Sequence, residues 1–212
     1  MRVNVYGYAV FAGVLMVAGV VASAQSGVQV FRVRDDCDPA TFNAGPPTGP
    51  GAGVICNPNF DGDITFAEFI EELTDDQEVG HWRFQPDEKE LDRGQRTVID
   101  SREAGEFHTF TRVGEFGGGI LFGLNALTFG VEDAISGPGQ TRPECGTAAI
   151  PPGPTSPPID GALAPPSATN RFVPDGSVLE GPIAGSADLP RSSKWQCCIH
   201  PWMRSEVTVR SR

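Results

Sequence analysis

Trp195-Gln196-Cys197-Cys198-Ile199-His200-Pro201-Trp202-Met203, followed closely by Val207-Thr208-Val209, sets two thiols, an imidazole and a thioether between two strand-like runs. The runs are Ser192 to Cys198 and Glu206 to Arg210. In a strand, alternate side chains point to opposite faces. Trp195 and Cys197 therefore share one face, and Lys194, Gln196 and Cys198 share the other. The large apolar Trp195 marks the buried side, so Cys197 is expected to point inward and Cys198 away from it. Thiolate with imidazole is a donor set that copper favours. Two histidines and a cysteine with a weak axial methionine make an electron-transfer copper arrangement.

Cys197, His200 and Met203 supply three of those donors, and the second imidazole must come from elsewhere. The chain holds three histidines. His108 lies in Gly105-Glu106-Phe107-His108-Thr109-Phe110-Thr111, on the face of Phe110, where it can project from the end of an apolar core. His81 opens a run containing Trp82 with no sulfur or carboxylate constellation beside it, and reads as structural or surface. His200 sits in a loop rather than a strand, so it is expected to be the more exposed and more mobile imidazole. Pro201 stiffens that loop by removing a backbone donor, and Trp202 is placed to exclude water.

Five cysteines are an odd number, which implies two bridges and one thiol left over. The expected pairs are Cys37–Cys56, neighbours in one segment, and Cys145–Cys198. Cys197 is then free, and a bound metal would protect it from oxidation. Disulfides persist in oxidising compartments. Residues 1–24 read as an export leader, with Arg2, an apolar run from Ala9 to Val21, and Ala22-Ser23-Ala24 before Gln25. An exported protein, periplasmic or extracellular, is expected. The net charge is −11, and nothing resembles the basic stripe that nucleic acid needs. An acidic surface of this kind favours solubility and could steer a basic redox partner.

Two parts follow the leader. Residues 25–80 read as a small N-terminal unit. It begins with a linker or edge strand (Val28, Val30, Phe31, Val33), then a Gly/Pro-rich loop from Ala44 to Val54 and one helix. Thr65 and Glu68 have capping-box spacing, and Phe66, Phe69, Ile70 and Leu73 form its apolar stripe. Residues 81–212 read as short strands: His81 to Gln85, Glu88 to Leu91, Arg96 to Asp100, Glu106 to Val113, Arg171 to Val173 and Ser177 to Leu179, and the two C-terminal runs. Gly117-Gly118-Gly119 reads as a flexible turn, because no Lys-Ser/Thr follows to make a phosphate loop. The segment at about 136–170 holds nine of the 19 prolines and reads as a surface insertion. Strands of this length and spacing point to a mainly β protein, a sandwich.

Asn57, Asn59, Asp61, Gly62 and Glu68 fit a twelve-position calcium loop of the EF-hand type, with Glu68 last. Position 1 is Asn, and no entering helix precedes it. Calcium is therefore one expectation for this stretch, and a capped helix after a polar turn is the other.

Cys197-x-x-His200-x-x-Met203 followed by Val207-Thr208-Val209 resembles the C-terminal ligand loop and last strand of the cupredoxins, the plastocyanin and amicyanin group. His108 at a strand end resembles their upstream ligand. The resemblance covers about residues 81–212. It implies a Greek-key β-sandwich holding one type 1 copper through His108, Cys197, His200 and Met203. The separation of 89 positions between His108 and Cys197 exceeds that of minimal relatives, and the proline-rich insertion accounts for most of it. The function this implies is one-electron transfer between redox partners rather than catalysis. The rival expectation is a non-redox copper carrier, or a sandwich used in adhesion or assembly. Multicopper chemistry is disfavoured because only one histidine is left over.

Overall fold

The computed structural model describes residues 27–50, 55–127, 142–146, 170–181 and 190–210. The leader, residues 51–54 of the Gly/Pro-rich loop and most of the proline-rich insertion lie outside these. Nine strands are described: β1 (Gln29–Arg34), β2 (Arg83–Gln85), β3 (Glu88–Asp92), β4 (Thr97–Glu103), β5 (His108–Val113), β6 (Asn170–Val173), β7 (Val178–Gly181), β8 (Ser192–Gln196) and β9 (Arg204–Arg210). They form a four-stranded sheet ordered β2-β1-β4-β7 and a five-stranded sheet ordered β3-β9-β8-β5-β6. The expected β-sandwich is present. Its sheets are mixed, because β1 pairs parallel with β4 and β3 pairs parallel with β9.

The two sheets meet through aromatic side chains. Phe110 of β5 stacks on Trp195 of β8 with ring centres 4.9 Å apart, and meets Phe31 of β1 and Phe84 of β2 at 5.1 and 4.9 Å. All four rings are buried. Stacked and tilted rings at such spacings add to the large apolar area that each one buries. On β5 both faces are covered, since His108, Thr109, Phe110 and Thr111 are all fully buried. The threonines tolerate burial because Thr111 Oγ1 donates to Asn170 Oδ1 at 2.6 Å and Thr109 Oγ1 accepts from the Cys198 N–H at 2.8 Å.

The helices are α1 (Pro39–Phe42), α2 (Phe66–Asp76) and α3 (Phe122–Leu127). Thr65 and Glu68 form the capping box at the start of α2, and Gln77 ends it in the left-handed conformation. Phe69 and Leu73 are its buried residues. Phe69 packs on Trp82 at 5.0 Å and on Trp202 at 5.8 Å, while Phe42 of α1 stacks on Trp82 at 5.7 Å.

This packing corrects the division at residue 80. β1 lies within the four-stranded sheet, flanked by β2 and β4, and one hydrophobic core runs from Phe31 through Phe69 and Trp82 to Val209. The apolar stripe of α2 needed a surface, and it found the sandwich itself. The described residues from 27 to 50 and from 55 to 82 are part of the same packed body as the later strands.

Candidate metal centre

The site lies where β5 begins and β8 ends. His108 is the first residue of β5, and Cys197 directly follows β8. The turn from Cys197 to Met203 closes on itself. The Cys197 N–H donates to the Met203 carbonyl at 3.0 Å, and the Met203 N–H to the His200 carbonyl at 2.9 Å. The turn carries His200 back over Cys197, and the His200 N–H points at the Cys197 sulfur at 3.5 Å. The Thr109 N–H approaches the same sulfur from β5 at 3.4 Å.

Three donor atoms converge. His108 Nδ1 and His200 Nδ1 each lie 3.8 Å from Cys197 Sγ, and 3.3 Å from one another. Among the described residues this is the one group of histidine, cysteine or carboxylate side chains with the geometry to hold a metal ion. All three residues are buried, His200 with 4% exposure and the others with none. The centre of the circle through the three atoms lies about 2.1 Å from each, a bonding distance for a first-row metal to imidazole and close to that for thiolate. The donor set fits copper.

Each imidazole is held from behind by a carboxylate. His108 Nε2 donates to Asp35 Oδ2 at 2.6 Å, both side chains fully buried, and His200 Nε2 donates to Glu106 Oε2 at 3.1 Å. Asp35 also accepts from the backbone N–H groups of Gly105 at 2.7 Å and Glu106 at 3.1 Å, and Glu106 accepts from Trp82 Nε1 at 3.2 Å. An ionised carboxylate only accepts, so each Nε2 carries the hydrogen and each Nδ1 is left to face the sulfur.

The electrostatics follow from this crowding of buried groups. Burial opposes ionisation of the Cys197 thiol, but contact with His108 and His200 outweighs it and holds the thiol well below its usual range. Burial likewise opposes charge on His108, yet Asp35 and Cys197 raise it to about 10. His200 is raised in the same way by Cys197 and Glu106. Asp35 is lowered against its own burial by His108 and the two backbone donors. The thiol and the two imidazoles thus each favour the other's charged form, thiolate and imidazolium.

The disulfides are Cys37–Cys56 and Cys145–Cys198, with Cys197 free and buried. Alternation therefore separated the adjacent cysteines correctly. Gln196, one position before Cys197, shares the Cys198 side; its amide pairs with the Gly117 N–H and carbonyl at 2.9 and 3.0 Å. The glycine triplet is a clasp over the ligand turn rather than a free turn. Gly117 and Gly118 have φ of 94° and 65°, which favour glycine. A Cβ on Gly119 would stand 2.5 Å from the Cys198 carbonyl.

His200 departs from its expected exposure. The Trp202 ring lies 5.3 Å from its ring, with Glu106 behind it, so the loop imidazole is enclosed on both sides. Met203 is fully buried, and its carbonyl and N–H close the ligand turn. His81 is a surface residue, its Nδ1 paired with Asp36 at 2.8 Å. In the calcium-loop stretch, Glu68 Oε2 is engaged by Thr65 as the helix cap, and Asn57 Nδ2 donates to Asp175. Asn59 and Asp61 are exposed. The capped helix expected of this stretch is present.

The sequence reading missed Asp35 and Glu106. Glu106 had a usable signal: it shares the core-facing side of its strand run with His108 and Phe110, where an unpaired carboxylate would be costly. Asp35 had none, since it looks like one of several acids at the end of a linker.

No protein-family model and no curated protein matches the chain. Among solved structures, a purple cupredoxin from Nitrosopumilus maritimus is similar, with 12% identity over 65% of this chain and 93% of that one and a TM-score of 0.32. On its own features the chain is a two-sheet β-sandwich whose core encloses a buried His-Cys-His cluster suited to copper.

Proposed function

We propose that this chain is an exported mononuclear copper protein of the type 1 kind that carries single electrons between redox partners. One observation carries the reading: two imidazole nitrogens and one cysteine sulfur, all buried, face one another at 3.3–3.8 Å. His108, Cys197 and His200 would hold the ion, with Met203 as the weak axial donor. Bound copper would supply a one-electron couple. The chain's own part is to keep the donors fixed. Cys197 is braced by two backbone N–H groups, His108 by its strand and Asp35, and His200 by Glu106 and Trp202. Donors that cannot move favour neither oxidation state by rearrangement, which suits rapid electron exchange.

Burial of all three donors speaks against delivery of copper to another protein, which requires the ion to be reached and released. Export is supported by two disulfides and by an apolar N-terminal run with a small-residue cleavage pattern. The net charge of −11 suits a basic redox partner. The test is to add Cu(II) to the purified mature protein, then record its visible spectrum and its voltammetry. An intense thiolate-to-copper absorption with a reversible one-electron wave is expected. Copper binding without that band, or a band without reversible reduction, would overturn the proposal.

A further inference from the structure

Asp35 and Glu106 are buried acids that the electron-carrier reading does not require for ligation, and the fold makes unusual provision for them. Asp35 follows β1 directly and takes three hydrogen bonds, all from the segment entering β5: the Gly105 and Glu106 N–H groups and His108 Nε2. Glu106, whose backbone Asp35 thereby holds, reaches the other imidazole and is itself fixed by Trp82 Nε1. The Cys37–Cys56 disulfide pins both acids. Cys37 stands two residues after Asp35, Cys56 forms a β-bridge with Glu106, and the Asn57 N–H donates to the Gly105 carbonyl at 2.7 Å. Gly105 is packed against Phe60 and the Cys37 sulfur, with no room for a side chain.

We infer that Asp35 and Glu106 are paired positioning residues that orient both imidazoles and lower the reduction potential of the site, and that the Cys37–Cys56 segment exists to hold them. The inference rests on the copper reading above. Each carboxylate keeps hydrogen on Nε2, so Nδ1 is the nitrogen that would bind once its own proton leaves, with no tautomer change, and each makes its imidazole a stronger donor. Their charge acts in the same direction. A divalent ion among one thiolate and two carboxylates already leaves an excess negative charge, and reduction adds another in a buried place where charge is poorly screened. The oxidised state is therefore favoured over what neutral partners would give.

The test compares Asp35→Asn and Glu106→Gln in the copper-loaded full chain. Each should weaken Cu(II) relative to Cu(I) by about tenfold or more, which for a one-electron couple raises the potential by about 59 mV per decade. In the diamagnetic Cu(I) protein, the exchange-protected Nε2–H resonance of His108 should weaken in Asp35→Asn only, and that of His200 in Glu106→Gln. Val33→Ala, a buried truncation two residues from Asp35, should lower stability and leave the potential in place. If Asp35→Asn does not fold, Glu106→Gln carries the test alone. Potentials that stay at the native value in a variant that binds copper, or that move as far in Val33→Ala, would overturn the inference. A native protein without reversible reduction would instead defeat the electron-carrier reading itself.

Discussion

Removing the Cys145–Cys198 bridge separates crosslinking from ligation, because the two roles fall on adjacent residues. The perturbation is the double substitution Cys145→Ser with Cys198→Ser, which leaves no new thiol beside Cys197. The bridge spans 53 positions. In the chain-entropy treatment of a crosslink, a loop of that length stabilises the folded state by about 4 kcal/mol. The contacts that position Cys198 do not use its sulfur. Its N–H donates to Thr109 Oγ1 at 2.8 Å, and its carbonyl accepts from the Ile120 N–H at 2.7 Å. The ligand turn should therefore survive while the protein weakens. Urea unfolding of the metal-free protein gives the loss, expected to move the midpoint by about 1.5 M at a slope near 2.5–3 kcal/mol/M. Copper addition then reads the site by its visible band, which should be retained. A stability loss below about 1 kcal/mol would refute the loop-closure argument. Loss of the band in a folded double variant would refute the separation of roles.

Cys197→Ser should do the reverse, abolishing the band while thermal unfolding stays cooperative; a persisting band would place the thiolate elsewhere. Met203→Leu should still take up copper and shift the potential upward, since it removes a donor that favours the higher oxidation state, and complete loss of copper would show that Met203 is not a weak axial ligand. Copper loading should release protons, because Cys197 is already lowered while His108, raised to about 10, and His200, also raised, must give up Nδ1–H. The affinity should accordingly rise with pH through the neutral range and level off only above the His108 value; calorimetry in buffers of different ionisation enthalpy should find about one to two protons per copper, and a pH-independent affinity would contradict the imidazolium assignment. Thr65→Ala should cost about 1 kcal/mol through the α2 cap, and calcium should leave the native unfolding midpoint unchanged, whereas a calcium-dependent rise would favour the cation loop.

Local chemistry made much of this protein legible without coordinates. Alternation about Trp195 is a property of any strand, so it separates the free Cys197 from the bridged Cys198 whatever surrounds them. The odd cysteine count left one thiol over, and the capping spacing of Thr65 and Glu68 marked where α2 begins. His108 was recognisable because strand geometry set it beside Phe110 on a core-facing side. Apart from the cysteine count, each of these signals lies within about ten residues of chain, the range over which backbone periodicity operates.

What tertiary structure alone decided depends on which segments meet. Nothing in the stretch Arg34-Asp35-Asp36 says that its middle residue is fully buried against an imidazole 73 positions away, and the neighbouring Asp36 pairs instead with His81 at the surface. The parallel pairing of β1 with β4 brings Asp35 to the entrance of β5 and draws the N-terminal segment into the sandwich. Loop position suggested a mobile His200, but packing of Trp202 against Phe69 of α2, with Glu106 behind the ring, enclosed it. The ligands announce themselves by residue type and spacing. The carboxylates that hold them do not, because a buried acid is distinguished from an exposed one only by the partners that the fold brings to it.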